Sequence, residues 1–138
     1  MISEHAQVLE FGLESERYCI EIEHVAEITG KTALTSVPNA AEYVLGVMDL
    51  RGTSLHVIDP KTAFGVDSEP IGQRVLVLDP SIGDDDRRYG WLVDDVSDVL
   101  DVTAEDIDRS IDEPGVYGAL RDEERLIVWV DPESVIEP

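Results

Sequence analysis

The stretch "GVMDLRGTSLHVIDP", residues 46–60, decides how the chain is read. Apolar residues run up to Arg51 and resume after Ser54, with Arg51–Gly52 at the break. Gly52 permits the backbone angles of a tight turn and Arg51 sits at its apex, so the stretch predicts a β-hairpin. Comparable apolar segments recur at 7–13, 17–22, 44–50, 54–59, 74–79, 88–94, 116–120 and 125–131. Many short strands separated by turn chemistry point to an all-β sandwich or barrel.

Within that pattern "RYCIEI" (17–22) alternates, with Tyr18, Ile20 and Ile22 on one face and Cys19, Glu21 and Glu23 on the other. It reads as a half-buried strand. "LIVWV" (126–130) is apolar throughout and predicts burial on both faces. Two strands end in Asp-Pro, at Asp59–Pro60 and Asp131–Pro132. Aspartate accepts bonds from the free N–H groups of a first helical turn, and proline at the first helical position wastes no donor, so each predicts a short helix.

Gly46, Asp59 and Pro60 recur as Gly118, Asp131 and Pro132, each 72 positions later. "YCIEIEHVAEI" (18–28) matches "YGWLVDDVSDV" (89–99) at an offset of 71. Several matches in one order indicate a duplication, with halves at roughly 7–65 and 73–138 of a single domain spanning 1–138. Halves of that size sit near the lower limit for an independent core, so they are expected to pack together and to exchange strands. Residues 66–72 are the expected seam, and 103–115 the expected mobile loop.

Composition excludes several functions. The chain of 138 residues carries 31 acidic and 10 basic side chains, a net charge of −21. Such a field repels nucleic acid and anionic membrane surfaces. The acidic residues are scattered over the chain, which suits a solvated surface and a salt-rich, halophilic host. No apolar run spans a bilayer and no leader pattern precedes the first strand, so the chain reads as soluble and cytoplasmic, without membrane insertion. Cys19 is the one cysteine and reads as a small buried hydrophobe.

His5, His24 and His56 lack metal-ligand spacing, and "SIGDDDRR" (81–88) lacks the ligand order of a calcium loop, reading instead as a solvated hairpin turn. Asp94 and Asp95 are adjacent on a strand, point to opposite faces and read as its exposed end, not as an acid–base pair. There is no phosphate-cradling glycine loop, nucleophile elbow or zincin helix. No cofactor is expected, and no catalysis.

"YCIEIEHVAEITG" (18–30), "VPNAAEYVLGVMDLRGTSLHVID" (37–59), "YGWLVDDVSDVL" (89–100) and "VYGALRDEERLIVWVD" (116–131) together resemble the CheW-like family of chemotaxis adaptors, in one order along nearly the whole chain. Asp49 stands where the family commonly has Asn, His56 where proline is frequent, and Asp59–Pro60 where Asp-Leu is usual. The resemblance implies two linked five-stranded SH3-like β-barrels with short helices. It implies an adaptor between the cytoplasmic tips of chemoreceptors and the regulatory domain of a CheA-type histidine kinase. The alternative is a scaffold of the same family in a signalling system other than taxis.

By the same resemblance Arg51, Gly52, Glu27, Val25 and Val99 fall at partner-binding positions. For Val25 and Val99 a place in the core competes with that reading. For Arg51 the competitor is a surface pair with Asp49, worth about 0–1 kcal/mol. The second copy has Glu123 and Glu124 where the first has Arg51 and Gly52, so turn geometry alone does not demand an arginine.

The charge yields a direct expectation. The Debye length falls from about 10 Å at about 0.1 M salt to about 3 Å at about 1 M, so the folded chain gains stability over that range. Denaturant unfolding followed at both salt levels checks this, and equal midpoints would remove the halophilic reading.

Overall fold

The computed structural model describes residues 5–67, 69–83, 86–111, 113–122 and 125–136. The strands are β1 (His5–Leu13), β2 (Glu16–Glu21), β3 (Val25–Gly30), β4 (Val44–Leu50), β5 (Thr53–Ile58), β6 (Arg74–Leu78), β7 (Arg88–Val93), β8 (Asp95–Thr103), β9 (Ile107–Asp108), β10 (Val116–Asp122) and β11 (Arg125–Val130). Short helices α1 (Pro60–Phe64) and α2 (Glu133–Ile136) follow β5 and β11. Each apolar segment of the sequence is a strand. The hydrophobic runs did not mark β3, β8 and β9. β8 is mostly exposed and interleaves Asp95, Asp98 and Asp101 with valines, as suits an edge strand protected from further pairing by charge.

One sheet has the order β3-β6-β7-β5-β4 and the other β8-β1-β2-β11-β10-β9. Apart from the added two-residue β9, the orders are the same. Hairpin β1–β2 is inserted between β8 and β11, and hairpin β6–β7 between β3 and β5. The junctions that return to the chain's own later strands are parallel: β5 runs along β7 from Leu55↔Arg88 to Ile58↔Trp91, and β11 along β2 from Ile127↔Arg17 to Trp129↔Cys19. Residues 66–72 therefore do not divide the sheets, since β6 and β7 beyond them pair back with β3 and β5.

Strand alternation sorts the apolar side chains into three cores. Met48, Leu55, Val57, Val75, Val77 and Leu92 fill the inside of the five-stranded sheet. Val8, Cys19, Val102, Ile107, Leu120, Ile127 and Trp129 fill the inside of the other. Phe11, Tyr18 and Ile20 of one sheet meet Ile58, Leu76 and Trp91 of the other in a third, shared core. The Phe64 ring of α1 stacks on Tyr18 at 5.0 Å and meets Trp91 edge-on at 5.9 Å, which seals it.

Four expectations change in three dimensions. β2 is not half-buried: lying between β1 and β11, it has cores on both faces, and Cys19 is fully buried opposite Tyr18 and Ile20. "LIVWV" is less buried than its composition suggests, because Leu126, next to the β10–β11 turn, is 42% exposed. Within 103–115, a capping box between Thr103 and Asp106 and the pairing of Ile107 and Asp108 with β10 order what looked like a loop. Asp94 is no exposed strand end. Its Oδ1 lies 3.0 Å from Nζ of Lys61, which is 1% exposed, and its Oδ2 accepts the Glu14 N–H at 2.6 Å.

The Asp-Pro helices form as read: Asp59 Oδ1 accepts the Lys61 N–H at 3.0 Å, and Asp131 Oδ1 accepts the Glu133 N–H at 3.1 Å. The loop from Asp79 begins as a turn in which Oδ1 of Asp79 accepts from the Ser81 N–H and hydroxyl, and it tucks Ile82 into the shared core. Asp84 and Asp85 lie outside the described residues.

Gly46 and Gly118 hold corresponding β-bulges, with φ of 151° and 150°. A Cβ on Gly46 would come within 2.8 Å of the Thr35 carbonyl oxygen, and one on Gly118 within 2.8 Å of the Asp108 carbonyl oxygen. Replacing Gly46 by alanine is expected to cost about 1–3 kcal/mol of stability, whereas Gly30→Ala, whose nearest neighbour lies 4.0 Å away, stays within about 0.5 kcal/mol. Denaturant midpoints of the two variants in molar salt make the comparison.

Candidate functional site

β4 and β5 are joined by two residues, with Leu50 opposite Thr53. Arg51 has φ 49° and Gly52 φ 89°. Two successive positive φ values make the type I′ turn that suits the twist of a hairpin, a turn whose first position favours asparagine, aspartate or glycine. An arginine held there costs on the order of 1–2 kcal/mol. The competing surface pair of Arg51 with Asp49 is not formed. Oδ1 of Asp49 accepts the Gly52 N–H at 3.2 Å and braces the turn.

The partner of Arg51 is Glu27, 24 residues earlier. Nη2 of Arg51 lies 2.6 and 2.7 Å from the two carboxylate oxygens. Glu27 is on β3, and a bulge between Val25 and Glu27 sets its register against β6. β3 and β4 are opposite ends of the five-stranded sheet, so the ion pair reaches across the sheet's opening. The bridge between Thr35 and Val47 covers the β4 edge nearby. The Arg51 side chain is 71% exposed and that of Glu27 34%.

Magnitudes decide what this pair is for. An exposed ion pair contributes about 0–1 kcal/mol, less than or equal to the strain of holding Arg51 at positive φ. Asparagine at 51 would satisfy the turn better. Stability of the hairpin therefore does not explain the arginine. Glu123 and Glu124, the sequence counterparts in the second hairpin, lie outside the described residues.

The sequence-derived positions thus divide. Arg51, Gly52 and Glu27 come together. Val25 begins the same strand as Glu27, and its side chain packs on the shared core. Val99 is in the other sheet, on β8 opposite Leu9, and is 48% exposed.

A further cluster was not legible from spacing. The 3₁₀ turn Ile22–His24 folds the chain so that side-chain ligand atoms of Glu21, Glu23 and His24 lie within 4.8 Å of one another. Burial, then the hydrogen bond and charge of Glu23, push the Glu21 carboxyl up from 4.5 to about 7. The raised Glu21 carboxyl thus sits in the short connection leading into β3. His56 stands apart, its ring 5.9 Å from that of Tyr89. The side chain of His5 is outside the described residues.

The CheW-like domain family matches residues 7–137. "Chemotaxis protein CheW" of Rhizobium meliloti (strain 1021) is 34% identical over 136 residues, covering 94% of this chain and 86% of that protein. The protein of the same name from Klebsiella aerogenes is 34% identical over 139 residues, covering 94% and 81%. Among solved structures, the scaffolding protein TtCheW from Thermoanaerobacter tengcongensis superposes with a TM-score of 0.82 at 24% identity, over 96% of this chain and 88% of that one, a likeness of fold. No helix among the described residues is long and apolar enough to cross a membrane.

The Glu21 carboxyl gives a signed pH dependence. Because its folded pKa lies above the unfolded value, its contribution is fully present below about 4.5 and is lost as pH rises through about 7. Glu21→Gln is expected to be more stable than wild type at pH 8 and to flatten the slope of stability between those values, as read from urea midpoints along a pH series. Equal slopes in both proteins would remove the raised Glu21 carboxyl.

Proposed function

The chain belongs to the CheW-like domain family, and from that premise we propose that it couples chemoreceptors to a CheA-type histidine kinase in the cytoplasm, through protein contacts and without catalysis. A chemotaxis adaptor of this kind needs a rigid body with a recognition surface and no reacting centre. The family match over 7–137 and the relatives named as chemotaxis proteins support the adaptor role. The kinase's regulatory domain and the receptor tips are the partners this reading assigns.

The observation that carries the site is the strained Arg51 on its exposed turn. Its fork of donors, now on Glu27, can also engage a carboxylate or backbone oxygens across an interface. Glu27 holds the guanidinium in one direction and so lowers the ordering cost on binding. Val25 and Gly52 shape the adjoining surface, and exposed Val99 supplies apolar area on the other sheet.

Arg51→Asn separates the two roles of the residue. Asparagine accepts positive φ, so hairpin stability is expected to hold or rise by up to about 1 kcal/mol. Binding to receptor and kinase is expected to weaken by about tenfold or more, since a charged hydrogen bond is lost. A pull-down in molar salt from the host's lysate, with tagged wild type beside Arg51→Asn, reads both. Wild type that recovers neither a histidine kinase nor a chemoreceptor overturns the adaptor reading. Wild-type recovery by Arg51→Asn overturns only the anchor.

A further inference from the structure

Three side chains able to ligate a metal meet where β2 passes into β3. Glu21 ends β2, and Glu23 and His24 stand on the 3₁₀ turn Ile22–His24 that follows. One ligand atom from each lies within 4.8 Å of the other two, and among the described residues this is the one place where three such atoms converge. An extended chain would send Glu23 and His24 to opposite faces, whereas the turn brings them together. The backbone beneath is held on both sides. Glu21 pairs with Val8 of β1, the Val25 N–H donates to the Ile22 carbonyl, and the Asp79 N–H, just past β6, donates to the His24 carbonyl at 2.9 Å.

Two carboxylates together are ordinary in a chain with 31 acidic side chains, but an imidazole beside them is not, since the chain has three histidines. His24 makes the set a mixed nitrogen–oxygen one. Mg²⁺ and Ca²⁺ take oxygen ligands, whereas imidazole joined to carboxylates suits a divalent first-row transition ion such as Zn²⁺. Ligand atoms about 2.0–2.2 Å from one such ion stand about 3–4 Å from each other, so atoms already within 4.8 Å close on it by side-chain rotation. Glu21 is half-buried beside Glu23, and a bound cation offsets both the lost hydration and the like charge. Three protein ligands leave a fourth position to water.

We propose that Glu21, Glu23 and His24 bind one divalent first-row transition ion of the Zn²⁺ type. Nothing in this assignment depends on the adaptor role. The ion ties the end of β2 to the turn that opens β3, the strand that carries Glu27.

The test titrates Zn²⁺ into the ¹⁵N-labelled full chain in molar sodium nitrate, beside Mg²⁺, at about pH 7, where imidazole is largely neutral and able to ligate. Heat and amide shifts are both read. One saturable Zn²⁺ event per chain is expected, with shifts centred on the amides of Glu21 to Val25 and Zn²⁺ preferred over Mg²⁺ by about tenfold or more. Glu23 is exposed, so Glu23→Gln is expected to fold normally and to weaken Zn²⁺ by about tenfold or more. His24→Gln is expected to weaken Zn²⁺ to the same degree and to leave Mg²⁺ unchanged, while Asp98→Asn, at an exposed position on β8, keeps the wild-type affinity. Circular dichroism checks that each variant is folded. Equal affinity for Zn²⁺ and Mg²⁺ overturns the proposal, as does wild-type Zn²⁺ affinity in Glu23→Gln or His24→Gln. So do weakened binding in Asp98→Asn, shifts centred elsewhere, or the absence of any saturable event.

Discussion

Each sheet is finished by a hairpin from the other half of the chain: β1–β2 lies between β8 and β11, and β6–β7 between β3 and β5. The exchange is required by what β2 and β7 carry. β2 sends Cys19 into one core and Tyr18 and Ile20 into the shared one, while β7 sends Leu92 into its own sheet and Trp91 into the shared one. Withdrawing either hairpin would open an interior and expose the shared core at once. Each half has too little surface to bury alone, which is why the two are bound into one body.

The joint between the sheets also gathers the strongest polar contacts. As β7 passes into β8, Asp94 and Asp95 turn to opposite sides. Asp94 takes buried Lys61 and the β1–β2 turn, and Asp95 takes Nη1 of Arg17 with both oxygens at 3.0 and 2.9 Å. Nε of Arg17 also holds Glu10, itself 6% exposed, at 2.8 Å. Breaking a buried pair such as Lys61–Asp94 by removing one member costs about 3–5 kcal/mol, against about 0–1 kcal/mol for an exposed pair such as Arg121–Asp108. Of these, the Lys61–Asp94 contact lies where the chain passes from one sheet to the other, while Arg17 ties β1, β2 and β8 together within the six-stranded sheet.

Much of this was legible in the sequence because it is local. Alternation marked the strands, Asp-Pro marked the helices, and the recurrence of Gly46 as Gly118 marked the repeat, whose two copies the structure shows to carry bulges with nearly equal φ. What stayed hidden is set by long-range pairing. The Arg17 and Lys61 contacts to Asp95 and Asp94 join residues far apart in sequence, so Asp94 read as a strand end. β3 and β8 stayed hidden because edge strands are half wet and lack a full apolar run. Of the site, Arg51 stood out by its position, but its intramolecular partner Glu27 lies on the strand at the opposite end of the sheet, so the competing pair weighed from sequence was with the nearer Asp49.

Under the proposed adaptor role, the placement of Arg51 bears on how so acidic a chain could engage a partner in a salt-rich medium. At about 1 M salt, where the Debye length is about 3 Å, a solvent-exposed charge exerts little pull beyond direct contact. An arginine offered for long-range steering would be wasted under those conditions. One already aimed by Glu27, from a turn that accepts backbone strain to present it, acts through geometry at contact distance, and that persists when the field is screened. On that proposal the surrounding binding energy comes from apolar area, and Val99 on β8 is an exposed apolar residue that could supply some of it. On the same proposal, with electrostatic attraction damped, a polar anchor on one sheet and apolar area on the other are useful together only if their separation is fixed before the partner arrives, and the core shared by the two sheets is what fixes it.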